Sequence, residues 1–371
     1  MENIYQAIDR LRQHVVLQVN PRVIGITGSV GKTTCTALIQ SVVDKKFNCG
    51  RIYSKRLTPL TLSSWLVNFL ELSHQILALE YSMYRKYHID MLTNLLRPEI
   101  SVFLNVKRAH LGVQGINTFE DIVDGKRALV EKSQISILNL DDQYVSKLRR
   151  SGDLGFSLVD SMADAYISTK DGNVNLFLNY TNQVIRFVPY VKTSLFYHQV
   201  CAVSLIASYL GLSSELIKLG LEEFSPAEQR ISWIDVRGEK VLFDGDVTSG
   251  ARVMSLAEHH YASSVLLIHS LDFGGQNIDT QIDDVTNVLS RFDEVRILNT
   301  RENRAIVSKY GWKNLWIVSK RNFLVNLSDF EFKVLHFGIY FRKHKDLSYL
   351  INFLTLNYET PQISHFHIKY K

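Results

Sequence analysis

No apolar run in this chain reaches the length of about 18 residues that a membrane-spanning helix needs. The best, such as Ile100 to Val106, are strand-sized. Proline is scarce, at 6 in 371 residues, and the 19 glycines follow no repeat, which excludes collagen-like, disordered and coiled-coil chains. Cysteine is rarer still. Cys35, Cys49 and Cys201 lie far apart with no C-x-x-C pair, so neither a disulfide framework nor a zinc ribbon is available. All three are expected to pack as small apolar residues. An excess of one charge is lacking too: 42 Lys and Arg against 37 acids give +5, with a pI near 8.9. Short clusters such as Arg342-Lys343-His344-Lys345 do not amount to the basic stripe of a nucleic-acid binder. The surplus suits an anionic small substrate. The first 16 residues carry charges throughout an amphipathic pattern, unlike a secretory signal. A soluble, cytoplasmic protein is expected.

What is present is an ample core. The chain is 46% hydrophobic and 21% charged, and at roughly 150 residues per domain its length suggests two or three domains. From Val23 onward, strand and helix patterns alternate. Val23–Gly28 reads as a buried strand, Lys32–Lys45 as a helix, Gln75–Ser82 as a strand and His88–Leu96 as a helix. Strand Ile100–Val106, helix Phe119–Lys132 and strand Ile135–Leu140 follow. Such alternation predicts a parallel, doubly wound α/β sheet. Ala165 to Val191 break the rhythm around Asp171-Gly172-Asn173 and read as an antiparallel hairpin or sheet edge. Helices Leu195–Leu210 and Ser213–Glu223 come next. Past a polar linker, Ser225 to Gln229, five more strand-like runs predict a second α/β domain. The expected division is an N-terminal helical segment (1–20), a central domain (21–227) and a C-terminal Rossmann-like domain (228–371).

The strongest local signal is Gly28-Ser29-Val30-Gly31-Lys32-Thr33-Thr34, directly after one strand and opening a helix. Glycines let backbone amides turn inward, and the helix N-terminus adds positive potential where nucleotide phosphates sit. Lys32 is placed to reach terminal phosphates, and the Thr33 hydroxyl to coordinate Mg²⁺. The bland alternative is a Gly-rich turn without a ligand. The standard G-x-x-x-x-G-K-[ST] spacing would need glycine at 26, where Ile26 stands, so the loop is the shorter T-G-x-x-G-K-T-T.

That form resembles the Mur ligase family, the ATP-dependent amide-forming ligases of peptidoglycan precursors, with folylpolyglutamate synthetase as a relative. Leu79-Glu80-Tyr81-Ser82 resembles the family's strand-end E-x-[GS], and Asn105 through His110 to Gly112 its N-x-x-x-A-H-L-G. Lys126 stands where the family has a lysine that is often carbamylated. Asn139 to Asp142 matches N-x-D-D, His198-Gln199 sits where His-Asn is usual, Arg230 at a G-R position, and Asp244 at the aspartate of the C-terminal nucleotide contact. Ile4–His14 and Pro59-Leu-Thr-Leu62 resemble the D-alanyl-D-alanine-adding branch. Only about 20 residues precede the first ATPase strand, however, so that branch's N-terminal UDP-sugar-binding domain is expected to be missing.

The resemblance implies a P-loop parallel-sheet ATPase domain followed by a smaller Rossmann-like domain. It also implies ATP-dependent amide formation through an acyl phosphate. Lys32, Glu80, His110 and Lys126 would be catalytic. Gly28, Ser29, Val30, Gly31, Lys32, Thr33, Thr34, His198, Gln199, Arg230 and Asp244 would hold the nucleotide. Thr33, Glu80, His110 and a carbamylated Lys126 would serve one or two Mg²⁺ ions. Partners would be a small carboxylate and an amino acid or amine, with a partner protein an open option and neither nucleic acid nor membrane involved. Each residue has a plainer role available: His110 as a hydrogen-bonded core histidine, Lys126 as a solvated helix face, Asp141 and Asp142 as caps. A non-catalytic nucleotide-binding subunit and a P-loop kinase or NTPase are the competing functions. Lys107 and Arg108 occupy positions where the family more often has small or polar residues, and are expected either to contact an anionic acceptor or to be simply solvated. Asp272-Phe273-Gly274 matches a kinase triplet, but without a catalytic loop around it the match is taken as chance.

Overall fold

A computed structural model describes residues 4–52, 57–108, 111–112, 114–170, 173–226, 232–236, 238–244, 263–271, 282–312 and 315–336. The chain divides into two compact units, Met1–Ser225 and Pro226–Lys371.

The first unit opens with helix α1 (Ile4–Val19), followed by β1 (Arg22–Thr27), α2 (Lys32–Val43), β2 (Cys49–Ile52), α3 (Pro59–Phe69), β3 (Ile76–Glu80), α4 (His88–Leu95), β4 (Ile100–Phe103) and α5 (Phe119–Lys132). After β5 (Ile135–Asn139) and β6 (Leu154–Ser157) come β7 (Ala165–Lys170), β8 (Asn173–Leu178), β9 (Gln183–Phe187), α6 (Ser194–Tyr209) and α7 (Ser214–Glu222). One nine-stranded sheet runs β2-β3-β1-β4-β5-β6-β7-β8-β9. It is parallel from β2 to β7 and turns antiparallel at β8 and β9. The central strands are apolar on both faces, as helices covering both faces require. Ile24, Ile26, Leu77, Leu79, Val102 and Phe103 are all fully enclosed.

The order places β1 between β3 and β4, so the chain crosses from one side of β1 to the other after β3. Open α/β sheets bind ligands outside the carboxyl ends of strands at such a switch. The phosphate loop leaves β1 at that point. Register pairs Ile26 with Glu80 on one side and Thr27 with Phe103 on the other. Local chemistry starts the flanking helices: Thr58 and Thr118 each close a capping box, with Thr61 and Asp121 respectively.

The second unit contains β10 (Ser232–Val236), β11 (Glu239–Asp244), β12 (Ser264–Ile268), α8 (Ile282–Leu289), β13 (Glu294–Leu298), α9 (Arg301–Tyr310), β14 (Trp316–Val318) and β15 (Phe332–His336). Its sheet runs β10-β11-β15-β12-β13-β14, parallel except for the β10–β11 hairpin. All five expected strands are found; β10 is an addition. In the first unit β2, α3 and β6 are likewise additions, and β4 ends at Phe103 rather than Val106. The three cysteines are buried and unpaired. No helix of the described residues is long and apolar enough to cross a membrane.

Candidate active site

Four elements converge on the phosphate loop, and each contributes a side chain that grips the loop's backbone. From the end of β4, the Asn105 carboxamide accepts from Ser29 N and Val30 N at 3.1 and 3.0 Å and donates to the Val30 carbonyl at 3.1 Å. Its own carbonyl takes a further bond from Ser29 N at 3.0 Å. The first two loop amides are therefore spent on Asn105. What faces a ligand is the first turn of α2, at Lys32, Thr33 and Thr34, where amides lie ahead of any intrahelical acceptor. Gly31 makes this turn at φ +90°, in the left-handed region, and a Cβ there would fall 2.5 Å from Gln199 Nε2.

Gln199, on α6, is 1% exposed, and its amide donates to the Gly31 carbonyl at 2.9 Å. His198, next to it, meets Asp141 Oδ2 through Nε2 at 2.8 Å. The structure thus sets Gln199 against the loop's backbone and His198 against the Asp141 carboxylate. Burial pushes the Asp141 carboxyl up, but bonds from His198, Ser157 and the Leu158 amide outweigh it and hold the group below the ordinary aspartate range. Asp142 instead accepts from the amides of Val106, Tyr144 and Val145. Asn139 donates to the Leu104 carbonyl at 2.8 Å, fixing the approach to Asn105.

Two lysines meet inside the loop. Lys32 Nζ and Lys126 Nζ donate to the same acceptor, the Gly28 carbonyl, at 2.8 and 2.9 Å. Lys126 projects from α5 and is 4% exposed, so it is not the solvated helix face considered above. Burial, then the charge of Lys32, holds its amine well below the ordinary lysine range. Glu80 ends β3 half-buried beside β1, and among the described residues its carboxylate has no hydrogen-bond or ion-pair partner. Thr33 is half-buried in the first turn of α2, and Thr34 is buried.

Lys32, Lys126 and Gln199 therefore converge on the loop's backbone, with Thr33 in the first turn of α2 and Glu80 at the end of the strand beside β1. His110 and Arg230 lie outside the described residues, as does Asp272-Phe273-Gly274; Asp244 closes β11, pairing with His336. Among the described residues no three His, Cys, Asp or Glu side chains converge as a metal cluster. The donors present, a hydroxyl and an unpaired carboxylate, fit Mg²⁺, which keeps several waters and takes one or two carboxylates plus nucleotide oxygens. Asn105 and Asn139 had been legible only as motif letters. Their signal was an amide side chain at the carboxyl end of a buried strand, where it can satisfy the main chain of a loop.

Comparison with known proteins agrees with this geometry. Residues 26–177 match the Mur ligase middle domain. The UDP-N-acetylmuramoyl-tripeptide–D-alanyl-D-alanine ligase of Buchnera aphidicola is 25% identical over 277 residues, covering 69% of this chain and 57% of that protein. The UDP-N-acetylmuramoylalanine–D-glutamate ligase of Pseudothermotoga lettingae is 28% identical over 262 residues, covering 68% and 55%. The chain thus spans little more than half the length of these relatives. In fold, the MurF ligase of Thermotoga maritima, solved in complex with ADP, superposes with a TM-score of 0.76 at 17% identity, over 96% of this chain and 86% of that one. Folylpolyglutamate synthase of Mycobacterium tuberculosis superposes with a TM-score of 0.61 at 13% identity, over 89% and 92%. Residues 26–177 thus match the Mur ligase middle domain, and the chain is similar in sequence to Mur ligases, the D-alanyl-D-alanine-adding branch among them.

Proposed function

We propose that the protein is an ATP-dependent amide ligase. It joins a carboxylate to an amino acid or small amine and releases ADP and phosphate. The observation that carries this is the convergence of Lys32 and Lys126 on the Gly28 carbonyl at the start of α2, with the Glu80 carboxylate at the end of the neighbouring strand. Phosphoryl transfer needs positioning and positive charge more than a nucleophile from the protein. A substrate carboxylate oxygen attacks the γ-phosphorus of ATP and the bond to ADP breaks, leaving an acyl phosphate. The amine nitrogen then attacks the acyl carbon, phosphate leaves with the bonding pair, and the nitrogen loses its proton.

In this scheme the first-turn amides of α2 and Lys32 hold the phosphates. Thr33 and Glu80, with His110, would hold Mg²⁺, which when bound spreads the charge of the β- and γ-phosphates. Lys126, whose burial favours the neutral amine, is suited to capture CO₂ as a carbamate, and otherwise to contact the acyl phosphate. His198 and Gln199 complete the nucleotide contacts within the first unit. That the Thermotoga maritima relative was solved in complex with ADP supports a nucleotide ligand for a chain of this fold. By analogy with the relatives' names, the carboxylate is a muramoyl-peptide type of acceptor and the second substrate a D-amino acid or dipeptide, in the cytoplasm.

The test is to incubate the protein with ATP, Mg²⁺ and small-molecule extracts and follow products by mass spectrometry against a Lys32→Ala control. A species equal to two metabolites minus water, formed with ADP, is expected. ADP with a phosphorylated metabolite would instead mark a kinase. Nucleotide binding without turnover would mark a non-catalytic subunit.

A further inference from the structure

The lip of the phosphate loop carries two exposed cations, Lys107 and Arg108, the first of them tied to the loop through its backbone. The Lys107 amide donates to Ser29 Oγ at 2.9 Å, and that hydroxyl donates back to the Lys107 carbonyl at 3.2 Å. One residue earlier, Val106 N is fixed by Asp142 Oδ2 at 2.8 Å. The backbone here is stitched to the phosphate loop on one side and to the turn after β5 on the other. The side chains of Lys107 and Arg108 are both exposed, and among the described residues neither has a hydrogen-bond or ion-pair partner.

Neither Asp141 nor Asp142 forms an ion pair with Lys107 or Arg108. Asp141 is occupied by His198, Ser157 and the Leu158 amide. Asp142 is occupied by three backbone amides. Nor is the pair needed for the terminal phosphates, because Lys32 already sits inside the loop on the Gly28 carbonyl. Exposed positive charge with no ion-pair partner among the described residues, set beside an anion site, raises the potential for a further anion. Arg108 offers a planar fork and Lys107 a compact point charge, a combination suited to phosphate or carboxylate oxygens.

We propose that Lys107 and Arg108 form an anion-recognition lip for the carboxylate substrate, which therefore carries a second anionic group, phosphate or carboxylate, near the carboxyl that is activated. This rests on the ligase function proposed above. Together the two residues determine specificity for acceptors of higher negative charge, and they leave nucleotide binding to the loop itself.

The test uses the full chain saturated with Mg²⁺ and a non-hydrolysable ATP analogue, titrated calorimetrically. The probes are uridine diphosphate against uridine, and N-acetylglutamate against N-acetylglutamine. At least one more-charged probe should bind better than its less-charged partner. Lys107→Ala/Arg108→Ala should weaken that probe by about ten-fold or more, with the melting temperature and nucleotide affinity unmoved, and Lys107→Glu/Arg108→Glu should weaken it further. The preference should also shrink as ionic strength rises. The responding arm identifies the anion as diphosphate or carboxylate. The proposal is overturned if neither charged probe is preferred, if the variants bind it as the wild type does, or if nucleotide affinity falls by the same factor. A wild-type protein that binds no nucleotide would instead sink the ligase function.

Discussion

Lys32 and Lys126 place their side-chain nitrogens on one acceptor, the Gly28 carbonyl, at 2.8 and 2.9 Å. Two full positive charges cannot share that oxygen without opposing each other, and Lys126 is the more deeply enclosed of the two. In the unfolded chain Lys126 keeps its proton up to its ordinary pKa of 10.5; in the folded protein it gives the proton up at a much lower pH. Between those values the unfolded state binds one proton more, so this residue makes stability rise with pH. Lys126→Met removes the dependence. The melting-temperature difference, variant minus wild type, should therefore be largest near neutral pH and shrink as pH approaches about 10.5. A difference that stays flat from pH 6.5 to 10 would show that Lys126 titrates normally.

Asn105 uses every hydrogen-bonding group of its carboxamide on the phosphate loop. Asn105→Ala leaves the Val30 amide short of its enclosed acceptor, while Ser29 N keeps the bond to the backbone carbonyl of residue 105, at a cost of about 1–3 kcal/mol for the unsatisfied group. The loop should loosen, and nucleotide affinity should fall by about ten-fold or more. Nucleotide dissociation constants and melting curves decide the matter. Unchanged affinity and melting temperature would mean that the Asn105 carboxamide is not what organises the loop.

The His198–Asp141 contact carries a pH signature of its own. Asp141 is held below the ordinary aspartate range, with burial opposing and the bonds from His198, Ser157 and Leu158 prevailing. Its stabilising effect is complete above the unfolded pKa near 3.8 and is lost as pH falls through the lower folded value. Asp141→Asn should cost about 1 kcal/mol at pH 7, the worth of a charge-assisted bond replaced by a neutral one. The two proteins should converge as pH falls below the folded value. Urea unfolding at several pH values measures this. A deficit that persists undiminished into acid would assign the cost to packing.

The strand–helix alternation was legible because each buried strand is a short apolar run with no polar residue facing out, and the loop because glycine, lysine and threonine are placed by its chemistry. The elements that escaped detection are short or lack contrast. Cys-Gly-Arg-Ile of β2 has no periodicity over four residues, and Leu-Gly-Phe-Ser of β6 reads like a turn. The set of residues round the loop followed from matching motifs in order. What each side chain touches did not: a glutamine where asparagine is usual gives no hint that its amide will reach the Gly31 carbonyl. Such contacts are settled by the packing of α6 on α2, helices that lie about 160 residues apart in sequence.

That packing also sets the last test. Gly220 on α7 lies against α2, the helix that starts at the phosphate loop; Ser41 Oγ donates to its carbonyl at 2.8 Å. A Cβ at Gly220 would stand 2.5 Å from Val42 Cα and 2.9 Å from the Ser41 carbonyl oxygen, both backbone atoms that cannot swing aside. Gly220→Ala should therefore force α7 away from α2, at about 1–3 kcal/mol. In a unit of this size that is a fall of roughly 2–10 °C in melting temperature. Gly152 is the contrasting control. Nothing lies within 4 Å of its would-be Cβ, but its φ of +88° is left-handed, so Gly152→Ala should cost only the conformational penalty of about 1 kcal/mol. Added nucleotide should recover part of the Gly220→Ala loss, because binding to the native state alone raises its stability. Equal costs for the two variants would show that the helices yield freely and that close contact at Gly220 does not fix how α2 is seated.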